Sequence, residues 1–447
     1  MTHTINHARL LFWSFTVALG GFLFGFDTAV ISGAEQAIQA QWALSDALIG
    51  LMVSSALAGT VIGAIFGGIP CDRYGRKITL FWIGVLYLIS ALGSALAPDV
   101  YSLMLFRFLG GLGVGASSVA APVYISEIAP TGLRGRLTAM FQFNLVFGIL
   151  CAYLSNYGVA SAGGDWRIML GVEAVPALLF VILILFVPRS PRWLITRRGA
   201  HDEARRVLTM IDPSRVEQAL AEIEHSHKQK AQGSELREFL SGRYRWPILL
   251  AFLFAFFNQV SGINAVIYYA PRIFSMAGME SSAALLSSAG LGLVNLVFTL
   301  IGLALIDRFG RRFLMYIGSF GYILSLTSLA LIFHLEAFGG SLVPLLIFVF
   351  IASHAIGQGA CIWVFIAEIF PNSVRGYGMS LGSGTHWVFA ALVAFSFPYF
   401  AGTLGGAPLF AFFALMMVLQ LLFVRFLMPE TKGVSLEDLE VQLSQKR

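Results

Sequence analysis

Twelve apolar runs, each separated from the next by polar residues, dominate this chain of 447 residues. The runs are continuous and lack the every-second-residue alternation of membrane strands, so the pattern predicts helices and sets a β-barrel aside. Their lengths suit the roughly 20 residues that a helix needs to cross about 30 Å of hydrocarbon. The predicted spans are 10–32, 47–69, 78–97, 101–124, 136–157 and 167–188, then 246–270, 283–306, 313–333, 343–367, 379–400 and 408–428. Span 1 lacks a small-residue cleavage site and itself carries an aspartate, so it reads as a retained helix and not as a secretory leader. A polar stretch, Arg189 to Arg245, divides the first six spans from the last six. The pattern therefore predicts an N-terminal bundle over 1–188, a linker over 189–245, a C-terminal bundle over 246–428 and a tail over 429–447. Within the linker, DEARRVLTMI and VEQALAEIEHSHK have the spacing of short amphipathic surface helices.

Composition agrees with a membrane protein. Charged residues are only 12% of the chain and hydrophobic ones 57%, where soluble domains carry about 25% charged residues. The mean hydropathy is +0.79. Charge then adds an orientation. The linker holds twelve of the 29 basic residues beside eight acidic ones. The clusters Arg73/Arg76/Lys77, Arg134/Arg136 and Arg308/Arg311/Arg312 fall in loops on its side of the membrane. The opposite loops are short and nearly free of Lys and Arg, with Arg167 and Arg272 as exceptions. By the positive-inside rule both termini and the linker are cytoplasmic, and the net charge of +5 reflects topology, with no call for a nucleic-acid partner. The three cysteines, Cys71, Cys151 and Cys361, have neither metal-ligand spacing nor a disulfide framework. No nucleotide loop and no nucleophile–base pair stands out, so no enzymatic activity, metal or cofactor is expected.

The two sets of six spans repeat one another. Asp72-Arg-Tyr-Gly-Arg-Lys77 after span 2 matches Asp307-Arg-Phe-Gly-Arg-Arg312 after span 8, at an offset of 235 residues. Glu127-Ile-Ala-Pro with Arg134-Gly135 matches Glu368-Ile-Phe-Pro with Arg375-Gly376, at an offset of 241. Repeats of six helices are the signature of transporters that rock two halves around a site near the bilayer midplane. Asp72, Arg73, Arg76, Glu127 and Arg134, with Asp307, Arg308, Arg311, Glu368 and Arg375, then form a candidate charge network at the cytoplasmic helix ends. Such pairs hold that side shut and break when it opens.

Three ionisable residues lie inside spans of the first half. A carboxylate within a membrane helix costs about 2.5–3.5 kcal/mol on insertion scales and faces a cavity or a partner. Asp27 stands about five residues from the outer end of span 1, Arg107 about six into span 4 and Glu173 about seven into span 6, so at about 1.5 Å per residue all three lie some 7–11 Å deep. Arg107 favours the ionised form of Asp27, while burial and Glu173 favour the neutral form. A carboxylate so balanced can carry a proton; a static structural ion pair is the alternative. Span 7 holds neutral amides, Asn258, Gln259 and Asn264, followed by Tyr268-Tyr269-Ala-Pro271. Amides both give and accept hydrogen bonds, as a neutral polyol requires. Gly262 and Pro271 weaken the helix, as in the broken helices of transporters. Gln142, Asn295 and Trp363 extend the set, the indole offering a face to a sugar ring. His354, Gln358 and His386 fit either a lining or helix–helix contacts.

These residues bring a resemblance into view. FGFDTAVISGA, the two DRxGR loops, RFLGGLGVG, PVYISEIAP with RGR, VPRSPRWL, NQVSGINAVIYYAP, AEIFP with RG, and PETKG run along nearly the whole chain. Together they resemble the sugar porter family of the major facilitator superfamily. The resemblance implies an all-α fold of twelve transmembrane helices in two pseudo-symmetric bundles, alternating access, and transport of a hexose or pentose. It implies that Asp27 is the proton-coupling aspartate, which the family's passive facilitators replace with Asn, with Arg107 its partner and Glu173 the carboxylate of helix 6. Sugar contacts would come from Phe24, Gln142, Gln259, Asn264, Asn295 and Trp363, with Tyr268 and Tyr269 as external gate. There are departures. The family's paired glutamines are Asn258-Gln259 here, and the proline-rich turn before Trp363 is Gly357-Gln-Gly-Ala-Cys-Ile, which should break less readily. His386 and Trp387 also stand among the expected sugar positions, and His386 fills the family's polar position before Trp387 with a titratable group beside the sugar. Arg189 stands where the family has Glu. The reading is a proton:monosaccharide symporter of a bacterial inner membrane, working as a monomer in the lipid bilayer. A passive uniporter and a non-transporting sensor are the alternatives, the short tail after Glu430 and the presence of Asp27 arguing against them.

Overall fold

The computed structural model describes residues 6–130, 132–229, 235–240, 242–371 and 374–434, together with Leu439. Among these, every apolar run folds as a helix long enough to cross a membrane. In chain order they are α1 (His7–Trp42), α2 (Asp46–Phe66), α3 (Arg76–Leu96), α4 (Val100–Ile128), α5 (Arg134–Ser161), α6 (Trp166–Ile184), α7 (Arg245–Met276), α8 (Ser281–Phe309), α9 (Arg311–Leu335), α10 (Leu342–Glu368), α11 (Arg375–Leu404) and α12 (Gly406–Phe426). Short helices at His201–Ile211 and Val216–Gln229 lie in the linker, as their amphipathic pattern predicts. Much of the predicted tail, residues 435–438 and 440–447, lies outside the described residues.

Packing follows the small residues. A methyl group on Gly111 of α4 would sit 1.8 Å from the Ala56 carbonyl oxygen of α2, so only glycine lets these two backbones meet. Glycine pairs do the same work that interhelical small residues do in other membrane bundles, where lipid supplies no hydrophobic drive between helices. α1 and α7 are the most enclosed helices, while outward faces such as Leu96, Val175 and Phe426 stay exposed, as lipid contact requires.

Three helices depart from regularity, each for a local reason. In α6 the helix breaks at Val172-Glu173. Pro176 lacks the N–H that would meet the Val172 carbonyl, which accepts from Val175 instead at 3.1 Å. In α7, Gly262 has φ +87° and separates Arg245–Val260 from Ile263–Met276, and Tyr269 is non-helical two residues before Pro271. In α10, the segment without prolines stays helical but widens into a π turn over Ala355–Gly359. Gly357 there lies against Gly318 of α9, where an added methyl would come within 2.9 Å of its Cα.

The halves meet along α1–α7, α2–α11 and α5–α8. These contacts tighten toward the face opposite the termini: a Cβ on Gly50, near the start of α2, would lie 2.0 Å from the Phe395 carbonyl of α11. Among the described residues, the ion pairs that join the two bundles also sit at that face.

Candidate functional site

Asp27 lies within α1 with only 2% of its surface exposed, and Arg107 of α4 donates from Nη1 to its Oδ1 at 2.7 Å. The same guanidinium reaches the Asp27 carbonyl at 3.3 Å, so the pair is fixed by both side chain and backbone. Glu173 is buried at the kink of α6, within electrostatic reach of both partners, and among the described residues its Oε1 has no hydrogen-bond partner. The three residues thus converge as predicted. The depth argument needs a correction, because α1 continues to Trp42, ten residues past the predicted end of span 1. Glu35, Gln36, Gln39 and Gln41 extend it beyond the apolar run. Asp27 is therefore near the middle of its helix, and lateral packing of α1 against α4 brings it to Arg107.

A polar cluster occupies the seam between the halves. Gln259 donates to Asn258 at 2.8 Å and accepts from Asn264 at 2.6 Å. It also contacts the His386 ring at 3.1 Å. His386 lies 5.2 Å from the Trp363 ring and 4.6 Å edge-on from Trp387, and Trp387 lies 5.5 Å from Phe24. Seven of the predicted sugar positions are thereby brought together. Because α7 breaks at Gly262, three residues after Gln259, Asn264 turns back onto the amide five residues before it, a contact that an unbroken helix does not make. Asn295 is buried and accepts only a long contact of 3.4 Å from Thr299, and Gln142 is half-buried in α5; neither bonds to the amide cluster among the described residues. His354 and Gln358 serve as helix–helix contacts. His354 meets Tyr322 of α9, and Gln358 bonds Gln420 of α12, which donates onward to Ser319 at 2.8 Å.

The two tyrosines predicted as a gate differ in attachment. Tyr268 lies against Thr28 of α1, across the seam. Tyr269 instead donates to the Ala394 carbonyl at 2.8 Å and stacks on Phe397, both on α11 of its own half. The tie that sequence reasoning missed is Arg272. It donates from Nε to Glu35 at 2.9 Å, makes a second, shorter contact to the same carboxylate, and reaches Gln39 and Asp46. Glu35 is fully buried. The signal was present in Arg272 as a basic exception on a side otherwise poor in cations; its partner lay past the predicted end of span 1. Arg167, the other exception, caps the end of α3 by donating to the Ala95 and Ala97 carbonyls at 3.0 and 2.7 Å.

At the opposite end the repeat is visible in three dimensions. Arg76 pairs with Asp72 at 3.0 Å and Glu127 at 2.9 Å, and Ser190 donates to Glu127. Arg311 pairs with Asp307 at 3.4 Å and Glu368 at 2.6 Å, and Thr431 donates to Glu368. The remaining predicted members stand outside these pairs. Arg73 and Arg308 lie over Tyr74 and Phe309, and Arg375 donates to the Phe370 carbonyl at 3.4 Å. Arg134 is exposed at the start of α5, where no ion pair reaches it among the described residues.

Comparison with known proteins agrees with this architecture. The family model described as sugar (and other) transporter matches residues 13–443. The chain is 35% identical to the D-xylose-proton symporter of Escherichia coli strain K12, covering 98% of this chain and 97% of that one. It is 37% identical to the arabinose-proton symporter of Bacillus subtilis strain 168, covering 98% and 96%. A solved structure of the E. coli xylose transporter XylE, in a partially occluded inward open conformation, superposes with a TM-score of 0.85 at 33% identity, covering 96% of this chain and 100% of that one. This chain therefore belongs to the sugar transporter family of the major facilitator superfamily.

Proposed function

We propose that the protein takes up a monosaccharide, a hexose or pentose, together with a proton by alternating access across a bacterial inner membrane. The termini and linker lie on the cytoplasmic side, where the basic residues concentrate. The observation that carries the reading is the double role of α1. It bears the buried carboxylate of Asp27 and, one turn earlier, Phe24, whose ring meets Trp387 across the seam. Proton site and sugar wall therefore move as one element.

Sugar hydroxyls replace the amide-to-amide bonds of Asn258, Gln259 and Asn264, with Gln142 and Asn295 completing the ring of donors from α5 and α8. Trp363 offers an apolar face, and His386 and Trp387 close the far side. Protonation removes the charge of Asp27 and weakens its tie to Arg107, freeing α1 to shift against α4; Glu173, close to both, receives or relays the proton. An ion left unpaired at this depth is costly, so the Arg107 contact and the proton compete for one carboxylate. The Arg76–Glu127 and Arg311–Glu368 groups each join helices of one bundle and are formed here. Against the expectation that they break when that side opens, they stiffen each bundle at the cytoplasmic end, while Glu35–Arg272 and Tyr268 close the outer seam. This arrangement is an inward-facing state. Both bundles belong to one chain and enclose the site between them, so a monomer in the bilayer is sufficient, and the work is transport rather than catalysis.

The test is flux in proteoliposomes containing a pH dye, with a panel of hexoses and pentoses and with Asp27→Asn alongside. One sugar should drive inward proton flow in the unaltered protein, and the variant should lose that flow while still exchanging sugar. Sugar equilibration without proton flow in either protein would refute coupling, and no movement of any sugar would refute the substrate class.

A further inference from the structure

The two halves finish the start of their third helix with opposite charges. In the second half, the Glu430 carboxylate accepts the backbone N–H groups of Arg311 at 3.0 Å and Arg312 at 2.9 Å, at the beginning of α9. Its neighbour Thr431 donates to Glu368 at 2.6 Å. In the first half the hydroxyl that plays the part of Thr431 is Ser190, which donates to Glu127 at 2.6 Å. The residue before Ser190, in the register of Glu430, is Arg189. Accordingly α3 begins at Arg76 after an uncapped Gly75, and among the described residues no side chain accepts from its first-turn N–H groups. The position that holds an anion in one repeat holds a cation in the other.

The space around Arg189 is open. A groove of about 440 Å³ runs between the start of α3 and the His201–Ile211 helix, lined by Lys77, Arg189 and Arg206 with Glu203 as its acidic member. Glu203 lies 3.7 Å from Arg189, which leaves the cations in excess. The Lys77 ammonium donates to the Leu185 carbonyl at 2.8 Å, tying the groove to the end of α6. There Leu185 and Phe186 are 55% and 67% exposed, so the rim faces hydrocarbon. Cations beside an exposed apolar rim at the basic face of a membrane protein match the headgroup and chains of an anionic lipid. The first-turn N–H groups of α3 favour the same anionic charge, as those of α9 donate to the Glu430 carboxylate.

We propose that this groove binds a phosphate-bearing anion, the headgroup of an anionic phospholipid of the linker-side leaflet, which takes the place that Glu430 fills in the second half. The phosphate bridges Lys77, Arg189 and Arg206, and its binding holds the linker helix against α3 and α6. The experiment is a lipid titration of the detergent-purified full chain, read by native mass spectrometry and by thermal unfolding. The probes are phosphatidylglycerol, phosphatidylcholine and inorganic phosphate, on the unaltered protein, Arg189→Glu and Arg206→Gln. Phosphatidylglycerol should be retained over phosphatidylcholine, and Arg189→Glu, which puts back the repeat's carboxylate, should weaken that retention about tenfold or more. Arg206→Gln should weaken it by a smaller factor without restoring an acceptor, and it carries the test if Arg189→Glu does not fold. Inorganic phosphate that binds and is lost in the same variants would uphold the phosphate site and make the source a soluble anion. Equal retention of phosphatidylglycerol in all three proteins, or no preference over phosphatidylcholine, overturns the proposal.

Discussion

Pro271 has no N–H to give the Ile267 carbonyl four residues earlier, and in hydrocarbon an unmet carbonyl is expensive. Tyr153 of α5, on the other half, supplies the missing donor at 2.7 Å. Removing its hydroxyl in Tyr153→Phe should therefore destabilise the protein by about 1–3 kcal/mol. The cost should shrink in a Pro271→Ala background, where a backbone N–H is restored, and thermal unfolding of the four proteins measures that coupling. Equal losses in both backgrounds would show that proline does not create the demand. Cys71 gives a second check at this scale, outside the spans. Burial pushes its thiol up to about 11, so at neutral pH little thiolate is present. With Cys151 and Cys361 replaced by Ser, labelling by a water-soluble maleimide should be slow and rise about tenfold per pH unit below that value. Rapid labelling at pH 7 would mean that the short helix Gly68–Tyr74, which carries Cys71, opens.

Among the elements, α7 depends most on a single backbone position. Gly262 holds φ +87°, and a methyl group there would come 2.7 Å from the Phe413 ring. Left-handed geometry costs a side-chain-bearing residue about 1–2 kcal/mol before any clash. Gly262→Ala should lower the unfolding temperature and weaken sugar binding together, because Asn264 reaches Gln259 only across this break. Gly376→Ala, in a helix where an added Cβ meets nothing within 4 Å, is the matched control and should change neither. Should Gly262→Ala bind sugar normally, the break does not shape the amide cluster. A comparable device, the Pro176 kink in α6, puts Glu173 beside Asp27 and Arg107.

For the whole molecule, the balance between inward- and outward-facing states rests on what joins the halves. The Glu35–Arg272 pair sits at the seam on the face opposite the termini, the outer one in the proposed orientation, with the carboxylate enclosed and the guanidinium 15% exposed. Breaking one partner of a buried pair costs about 3–5 kcal/mol, and about 1.4 kcal/mol is tenfold in an equilibrium. Glu35→Gln should accordingly shift the population toward the outward-facing state by at least about tenfold. Spin-label distances between α1 and α7 at the outer face would lengthen, and sugar would reach the site more readily from outside. Unchanged distances would assign the closure to the helix contacts of α2 with α11 instead.

How much of this was legible beforehand differs by physical cause. Helix number, the doubled architecture and the likeness to sugar porters were carried by local properties: run length, charge sign and motifs that need no partner to be recognised. Asp27, Arg107 and Glu173 were also legible, since an ionisable residue in an apolar run announces a partner. The ends of the helices were not, because polar residues such as Glu35 and Gln39 continue a helix once another helix supplies their bonds. The partner of Arg272 and the donor for Ile267 were equally hidden, being 237 and 114 residues away in sequence. The sequence by itself determined what each segment is and which residues demand a partner. Only the tertiary structure decided who meets whom, because hydrogen bonds and ion pairs in hydrocarbon are satisfied by proximity in space, which packing between the two halves sets.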